Sequence, residues 1–125
     1  MTRSPVVLLV EDEEPLRRVL KGALEREGFT VLEAGDGVQA LDVIERGAPE
    51  IVVLDLNLPV LDGFGVLARL RTRAATATLP VIVLTANGDS ESETRGFALG
   101  ADEFLTKPFR SSALTARLRA LLARP

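Results

Sequence analysis

Five side chains of this sequence have the types and placement to do chemistry together: Glu11, Asp12, Asp55, Thr85 and Lys107. Each follows a run that reads as a strand. Val6–Val10 ends in Glu11-Asp12, Ile51–Leu54 in Asp55, Pro80–Leu84 in Thr85, and Glu103–Thr106 leads into Lys107. If the first and third of these runs are neighbouring parallel strands, three carboxylates converge, and carboxylates without compensation repel. Such a cluster calls for a cation. With oxygen donors only, the suited ions are Mg²⁺ or Mn²⁺. A hydroxyl and an ammonium are poor ligands for that ion, but they match the oxygens of a phosphoryl group bound to it. The chemistry assembled is attack of a carboxylate on phosphorus, giving an aspartyl phosphate. Singly, each residue has a plain structural reading: acids cap helices, Thr85 ends a strand and Lys107 is a surface lysine. Their joint arrival at strand ends carries the functional reading.

The elements that must position these groups are written in the hydrophobic pattern. Ile51–Leu54 is continuous apolar sequence, closed by Asp55, Asn57, Pro59 and Gly63, as expected of a strand buried on both faces. Val6–Val10 is a second such run, and the acids after it open a helix with Pro15 in its first turn. Leu16, Val19, Leu20, Ala23 and Leu24 recur at helical spacing, and Gly28 ends that helix. Thr30–Ala34 reads as a short strand and Gly35-Asp36-Gly37 as a turn. Val38, Ala40, Leu41 and Ile44 mark a second helix, stopped by Gly47 and Pro49. A third helix from about Phe64 buries Leu67 and Leu70 and exposes Arg69, Arg71 and Arg73. Asp89–Leu99 is weakly helical, with Gly96 in its interior at a cost of about 1 kcal/mol relative to Ala. Leu114, Leu118, Leu121 and Leu122 define a last amphipathic helix. Five βα units in succession predict an α/β fold: a parallel sheet, doubly wound, in one domain spanning residues 1–125.

Composition excludes several functions. The chain has 125 residues and a net charge of −3, with no Cys, His, Trp or Tyr and five Phe; its pI is about 5.0. The acidic balance and the shortage of aromatics argue against direct binding of nucleic acid. Without His or Cys there is no Ser-His-Asp or Cys-His catalysis, no disulfide and no thiolate metal site. No apolar run approaches the 18 or so residues of a membrane span, and the N-terminal apolar stretch is too short for a signal peptide. The expected compartment is the cytoplasm.

Leu-Val-Glu-Asp-Glu, Leu-Asp-Leu-Asn-Leu-Pro-Val-Leu-Asp-Gly, Val-Leu-Thr-Ala and Gly-Ala-Asp-Glu-Phe-Leu-Thr-Lys-Pro-Phe, in this order and spacing, closely resemble the receiver domain of two-component response regulators. The resemblance covers almost the whole chain. It implies a flavodoxin-like (βα)5 fold with strand order 2-1-3-4-5. It implies that Asp55 accepts a phosphoryl group from a sensor histidine kinase or phosphotransfer protein. Mg²⁺ would be held by Glu11 or Asp12, by Asp55 and by the backbone carbonyl of Asn57. Thr85, Ala86 and Lys107 would bind the phosphoryl group, and Thr85 and Phe104 would form the switch. The Lys107–Pro108 bond would be cis. Such a domain is not an enzyme with an external substrate; it catalyses only its own phosphorylation and dephosphorylation.

The sequence departs from the family pattern in small ways. Glu11 stands where either acid occurs, and Val60-Leu61 replaces a more usual pair. Phe104 is commonly Tyr, so here packing alone reports its inward state, and a plain core role competes with the switch. The output face is expected on the fourth helix, fifth strand and fifth helix, with Phe97 as an exposed apolar anchor. Regulators of this family with winged-helix effectors dimerise there through interchain ion pairs. Glu103 and Arg117 match one such pair, whereas Ala113 stands where another needs an acid, so a phosphorylated homodimer would be weak.

Three other readings compete. Gly63-Phe-Gly65-Val-Leu-Ala68 fits the dinucleotide-binding G-x-G-x-x-G/A pattern with Asp89 about 20 residues on, but a loop separates it from its strand. An aspartyl-phosphate phosphohydrolase usually has a second Asp two residues after the nucleophile, and here that residue is Asn57. A degenerate receiver, acting as a phosphorylation-independent binding module, would lack some of the five chemical groups; all are present.

Overall fold

Parallel strands buried on both faces should be apolar along their length, and the three central strands obey that rule up to their closing residues in the computed structural model, which describes residues 3–86 and 90–124. The strands are β1 (Val6–Val10), β2 (Thr30–Ala34), β3 (Ile51–Asp55), β4 (Val81–Thr85) and β5 (Glu103–Thr106). All pairs are parallel and the order is β2-β1-β3-β4-β5. The helices are α1 (Glu14–Arg26), α2 (Gly37–Gly47), α3 (Gly63–Arg71), α4 (Ser90–Ala98) and α5 (Ser111–Leu122), with a 3-10 turn at Ala74–Thr76. Asp89, assigned above to the start of the fourth helix, lies outside the described residues.

Side chains alternate across each strand and so divide the core in two. Leu8, Val52, Leu54, Val81 and Val83 pack with α2 and α3 on one face. Val7, Leu9, Ile51, Val53, Ile82 and Leu84 pack with α1 and α5 on the other. Every residue of β3 and β4 is buried, including the two polar ones that close them, Asp55 and Thr85. Burying a Leu or Ile side chain contributes about 1.5–3 kcal/mol, so this double layer is what fixes the strand ends.

Register sets the functional edge. Val10 pairs with Leu54, which brings Glu11 level with Asp55. The ladder continues past the strands: the Glu11 N–H donates to the Ala34 carbonyl (3.1 Å), Leu56 to Leu84 (3.1 Å) and Lys107 to Thr85 (2.8 Å). Local caps hold the helices that start beside this edge. The Asp36 side chain accepts from the Gln39 N–H and Asp62 from the Gly65 N–H. The Lys107–Pro108 bond is cis, as the resemblance implied.

The structure corrects four details. Val19 and Val38 point outward, 66% and 53% exposed, although both fit a helical apolar stripe. Thr85 is the last residue of β4 rather than the residue after it. Arg71 is not an exposed charge of α3: its guanidinium donates to the carbonyls of Gly100 and Thr76 and pairs with Asp102 at 3.3 Å. The second helix ends at Ala48, whose left-handed backbone (φ 42°) does the work expected of Gly47.

Candidate functional site

The carboxyl edge of β1, β3, β4 and β5 brings together the residues expected there. Glu11 and Asp55 are 0% and 3% exposed, and Asp12 beside them is open to solvent. One carboxylate oxygen from each of Glu11, Asp12 and Asp55 lies within 4.8 Å of the others. The Lys107 ammonium reaches between two of them, at 2.5 Å from Asp55 Oδ2 and 2.9 Å from Glu11 Oε1. Backbone donors hold the remaining oxygens: the Asn57 N–H donates to Asp55 Oδ1 (2.8 Å) and the Glu13 N–H to Glu11 Oε2 (3.1 Å).

Charge accounts for the shape of this network. Two buried carboxylates against one ammonium leave an excess of negative charge even before Asp12 is counted. Burial pushes the Glu11 carboxyl up to about 7, Lys107 opposes that rise and Asp55 adds to it. For Lys107, burial works against the charged form, but the hydrogen bonds and charges of Asp55 and Glu11 outweigh it and hold the amine above its ordinary value. A site built this way accepts positive charge readily, and a divalent ion with oxygen ligands fits the three-carboxylate donor set.

Next to the carboxylate cluster is a cleft of about 440 Å³ lined by Asp12, Leu56, Asn57, Phe64, Thr85 and Ser92. Ala86 follows Thr85 and is exposed. Beneath Asp55, Gly63 is obligatory: a Cβ there would lie 2.7 Å from the Asp55 carbonyl oxygen and 2.8 Å from Leu56 Cα. The short loop after β3 can therefore fold back under Asp55 only with glycine at that position.

Two supporting contacts join residues that no sequence motif links. Arg17 of α1 donates to the Glu11 carbonyl (2.7 Å) and pairs with Glu33 at 3.1 Å, pinning the acidic turn. Arg95 of α4 lies over the Phe64 ring, 4.1 Å from its centroid. Neither residue carries a motif; a cation four residues into a helix or on a polar helix face is ordinary. Phe104, in contrast, sits where expected. It is turned inward, 9% exposed, with its ring against Gly96 and 4.9 Å from the ring centroid of Phe97. Phe97 itself is 47% exposed. Arg117 pairs with Glu103 of the same chain at 2.8 Å and also donates to the Phe104 carbonyl. The dinucleotide reading loses its structural basis, because Gly63 and Gly65 are in the first turn of α3, after the loop; its Asp89 lies outside the described residues.

Comparisons with known proteins agree with this geometry. The sequence profile of the response regulator receiver domain matches residues 7–119. The phosphate regulon transcriptional regulatory protein PhoB of Pseudomonas aeruginosa is 40% identical over 118 residues, covering 94% of this chain and 52% of its own length. The chain thus spans about half the length of the curated relatives it matches. Among solved structures, the Francisella response regulator 1452 receiver domain superposes with a TM-score of 0.89 at 33% identity, covering 95% of this chain and 97% of that one. The receiver domain of the sensor histidine kinase PA1611 from Pseudomonas aeruginosa, solved with a magnesium ion coordinated in its active-site cleft, gives 0.90 at 30% identity, covering 98% and 100%. On the profile match, these identities and the shared strand order, the chain belongs to the response regulator receiver domains, which are regulatory phosphoacceptors.

Proposed function

We propose that Asp55 is the phosphoryl acceptor of this chain and that residues 1–125 act as one receiver unit. The observation that carries the reading is the buried Asp55 carboxylate, held at one oxygen by Lys107 and at the other by the Asn57 N–H, clustered with Glu11 and with Asp12, which lines an open cleft. An Asp55 oxygen forms the new O–P bond as the P–N bond of a donor phosphohistidine breaks, and the bonding pair leaves on the imidazole nitrogen. Hydrolysis of the acyl phosphate later resets the site. No other reaction is assigned to the chain.

The three-carboxylate cluster fits Mg²⁺, with Mn²⁺ as the alternative ion of like preference. Glu11 or Asp12, Asp55 and the Asn57 carbonyl would hold it. When bound, the ion neutralises the acids and the incoming phosphoryl oxygens. As an acyl phosphate, Asp55 no longer holds Lys107 as a carboxylate, so the ammonium transfers to a phosphoryl oxygen, alongside the Thr85 hydroxyl and the Ala86 backbone. Movement of Thr85 then carries the change to α4, β5 and α5 through Phe104, whose ring already packs inward against Gly96, and Phe97 is the exposed apolar anchor of that face.

The donor is a histidine kinase or phosphotransfer protein. An apolar groove of about 520 Å³ supports its docking: Leu16, Val19 and Phe109 are on its walls, and Lys107 and Pro108 line it as well. Exposed Val19 then has a reason to be apolar. The output is a weak, phosphorylation-dependent homodimer or an effector contact, because Arg117 must leave its own Glu103 to pair across an interface. Nothing in the fold calls for nucleic acid or membrane contact by this domain, and among the described residues no helix is long and apolar enough to cross a membrane. Incubation with phosphoramidate and Mg²⁺ tests the assignment: wild type gains one phosphoryl group by intact mass, and equal labelling of Asp55→Asn rejects it.

A further inference from the structure

A second cavity lies at the amino edge of the sheet, where the chain enters β3 and β4, away from the acceptor. It measures about 370 Å³, within the range of small-molecule sites. Leu41 and Ile44 of α2 form one wall, Leu70 of α3 another, and Pro49 and Leu79 close it. Ala48 completes the lining with a methyl group held on left-handed backbone, a conformation that glycine adopts without strain.

Two arginines, Arg69 and Arg73, are among the residues lining this space. Their neighbour Arg71 is fully engaged by Gly100, Thr76 and Asp102. Most other arginines have an acid or a ring: Arg17 and Glu33, Arg46 and Asp42, Arg95 and Phe64. Arg69 and Arg73 have no side-chain hydrogen bond or ion pair among the described residues. Arg69 is in the last turn of α3, where a cation suits the dipole, but Arg73 lies beyond the helix and gains nothing there. Glu45, also on the lining, is more than 4 Å from both, since no ion pair forms.

We propose that this cavity binds a small anionic amphiphile, with its hydrocarbon body against Leu41, Ile44, Leu70 and Leu79 and its carboxylate between Arg69 and Arg73. Forked guanidiniums recognise a carboxylate through paired N–H donors, and two of them compensate the anion that the apolar walls cannot. The site is independent of Asp55 and of the phosphoryl chemistry.

Octanoate titrated into ¹⁵N-labelled protein, with 1-octanol as the uncharged control, tests the proposal by NMR. Saturable shifts are expected at the amides of Leu41, Ile44, Leu70 and Leu79, with octanol binding at least about tenfold more weakly (a tenfold change being about 1.4 kcal/mol). The double variant Arg69→Gln/Arg73→Gln should lose about tenfold in octanoate affinity and leave octanol unchanged; both residues are exposed, so the fold is not at risk. Glu45→Gln should tighten octanoate. Equal binding of octanol and octanoate, an unaffected double variant, or shifts confined to the Leu16–Phe109 groove would each overturn it.

Discussion

Replacing Lys107 with methionine keeps an unbranched side chain, one atom shorter, and removes the cation that lies between Glu11 and Asp55. Both acids are almost wholly buried, so the variant leaves two carboxylates without their partner. Breaking a buried pair in this way costs about 3–5 kcal/mol when the orphaned charge must stay charged. Here Glu11 has an escape. Its carboxyl is already raised to about 7 by burial, and Lys107 is the group that opposes that rise. Without Lys107 it takes up a proton near neutrality, which limits the loss to about 2–3 kcal/mol at pH 7, or roughly 8–12 °C in Tm for a domain of this size.

The sign with pH follows from linkage. A carboxyl raised in the folded state keeps a proton that the unfolded chain releases, so wild-type stability falls as pH rises from about 4.5 to about 7 on account of Glu11. In Lys107→Met that falling window extends above 7. The raised Lys107 contributes stability that is present below its ordinary amine value and lost as pH climbs through its folded one. The difference between the two proteins should therefore be largest near pH 8, shrink below pH 4.5 and shrink again at strongly alkaline pH. Far-UV circular dichroism melts follow this, since no Trp or Tyr is present. Added Mg²⁺ should stabilise the variant more than wild type, because the ion no longer competes with the ammonium. A variant that melts within about 2 °C of wild type at every pH, under the same scale of Tm per kcal/mol, would refute the reasoning.

Other perturbations are as direct. Asp12→Ala should remove most of the Mg²⁺ dependence of Tm while leaving the metal-free melt close to wild type, because Asp12 is solvent-exposed; unchanged Mg²⁺ stabilisation excludes it as a ligand. Gly96→Ala gains about 1 kcal/mol of helix propensity, yet its Cβ would fall 2.1 Å from Phe104 Cζ. A net loss of about 1–2 kcal/mol is expected in urea melts, and a more stable variant would mean that the ring yields freely. With beryllofluoride and Mg²⁺ as the acyl-phosphate mimic, sedimentation should reveal a dimer in the micromolar range or weaker, about −8 kcal/mol or less favourable. Arg117→Ala should abolish it, and a dimer indifferent to that change removes the ion pair from the interface.

How far the sequence could be read follows from the range of each interaction. The strands were legible because a strand buried on both faces must be apolar at every position, and Ile51–Leu54 and Val6–Val10 are. The acceptor cluster was legible because parallel strands deliver their polar terminators to one edge. Val19 and Val38 were misassigned because periodicity reports apolar residues at helical spacing, not which of them a neighbouring element covers. Arg71 was misread because its partners, Gly100 and Asp102, are about thirty residues away. Gly96 looked like a cost to α4 until the Phe104 ring was seen against it. Glu103 and Arg117 were recognisable as a pair across an interface, but the fifth helix packs close enough to the fifth strand for them to pair within one molecule.

The most direct test of the central claim is to locate the phosphoryl group itself. Wild-type protein labelled with phosphoramidate and Mg²⁺ is treated with borohydride, which reduces an aspartyl phosphate to homoserine, and the peptides are then sequenced by mass spectrometry. Homoserine is expected at position 55 and nowhere else, and it should be absent when Mg²⁺ is withheld. Reduction at Asp12, or label retained on Thr85, would contradict the account.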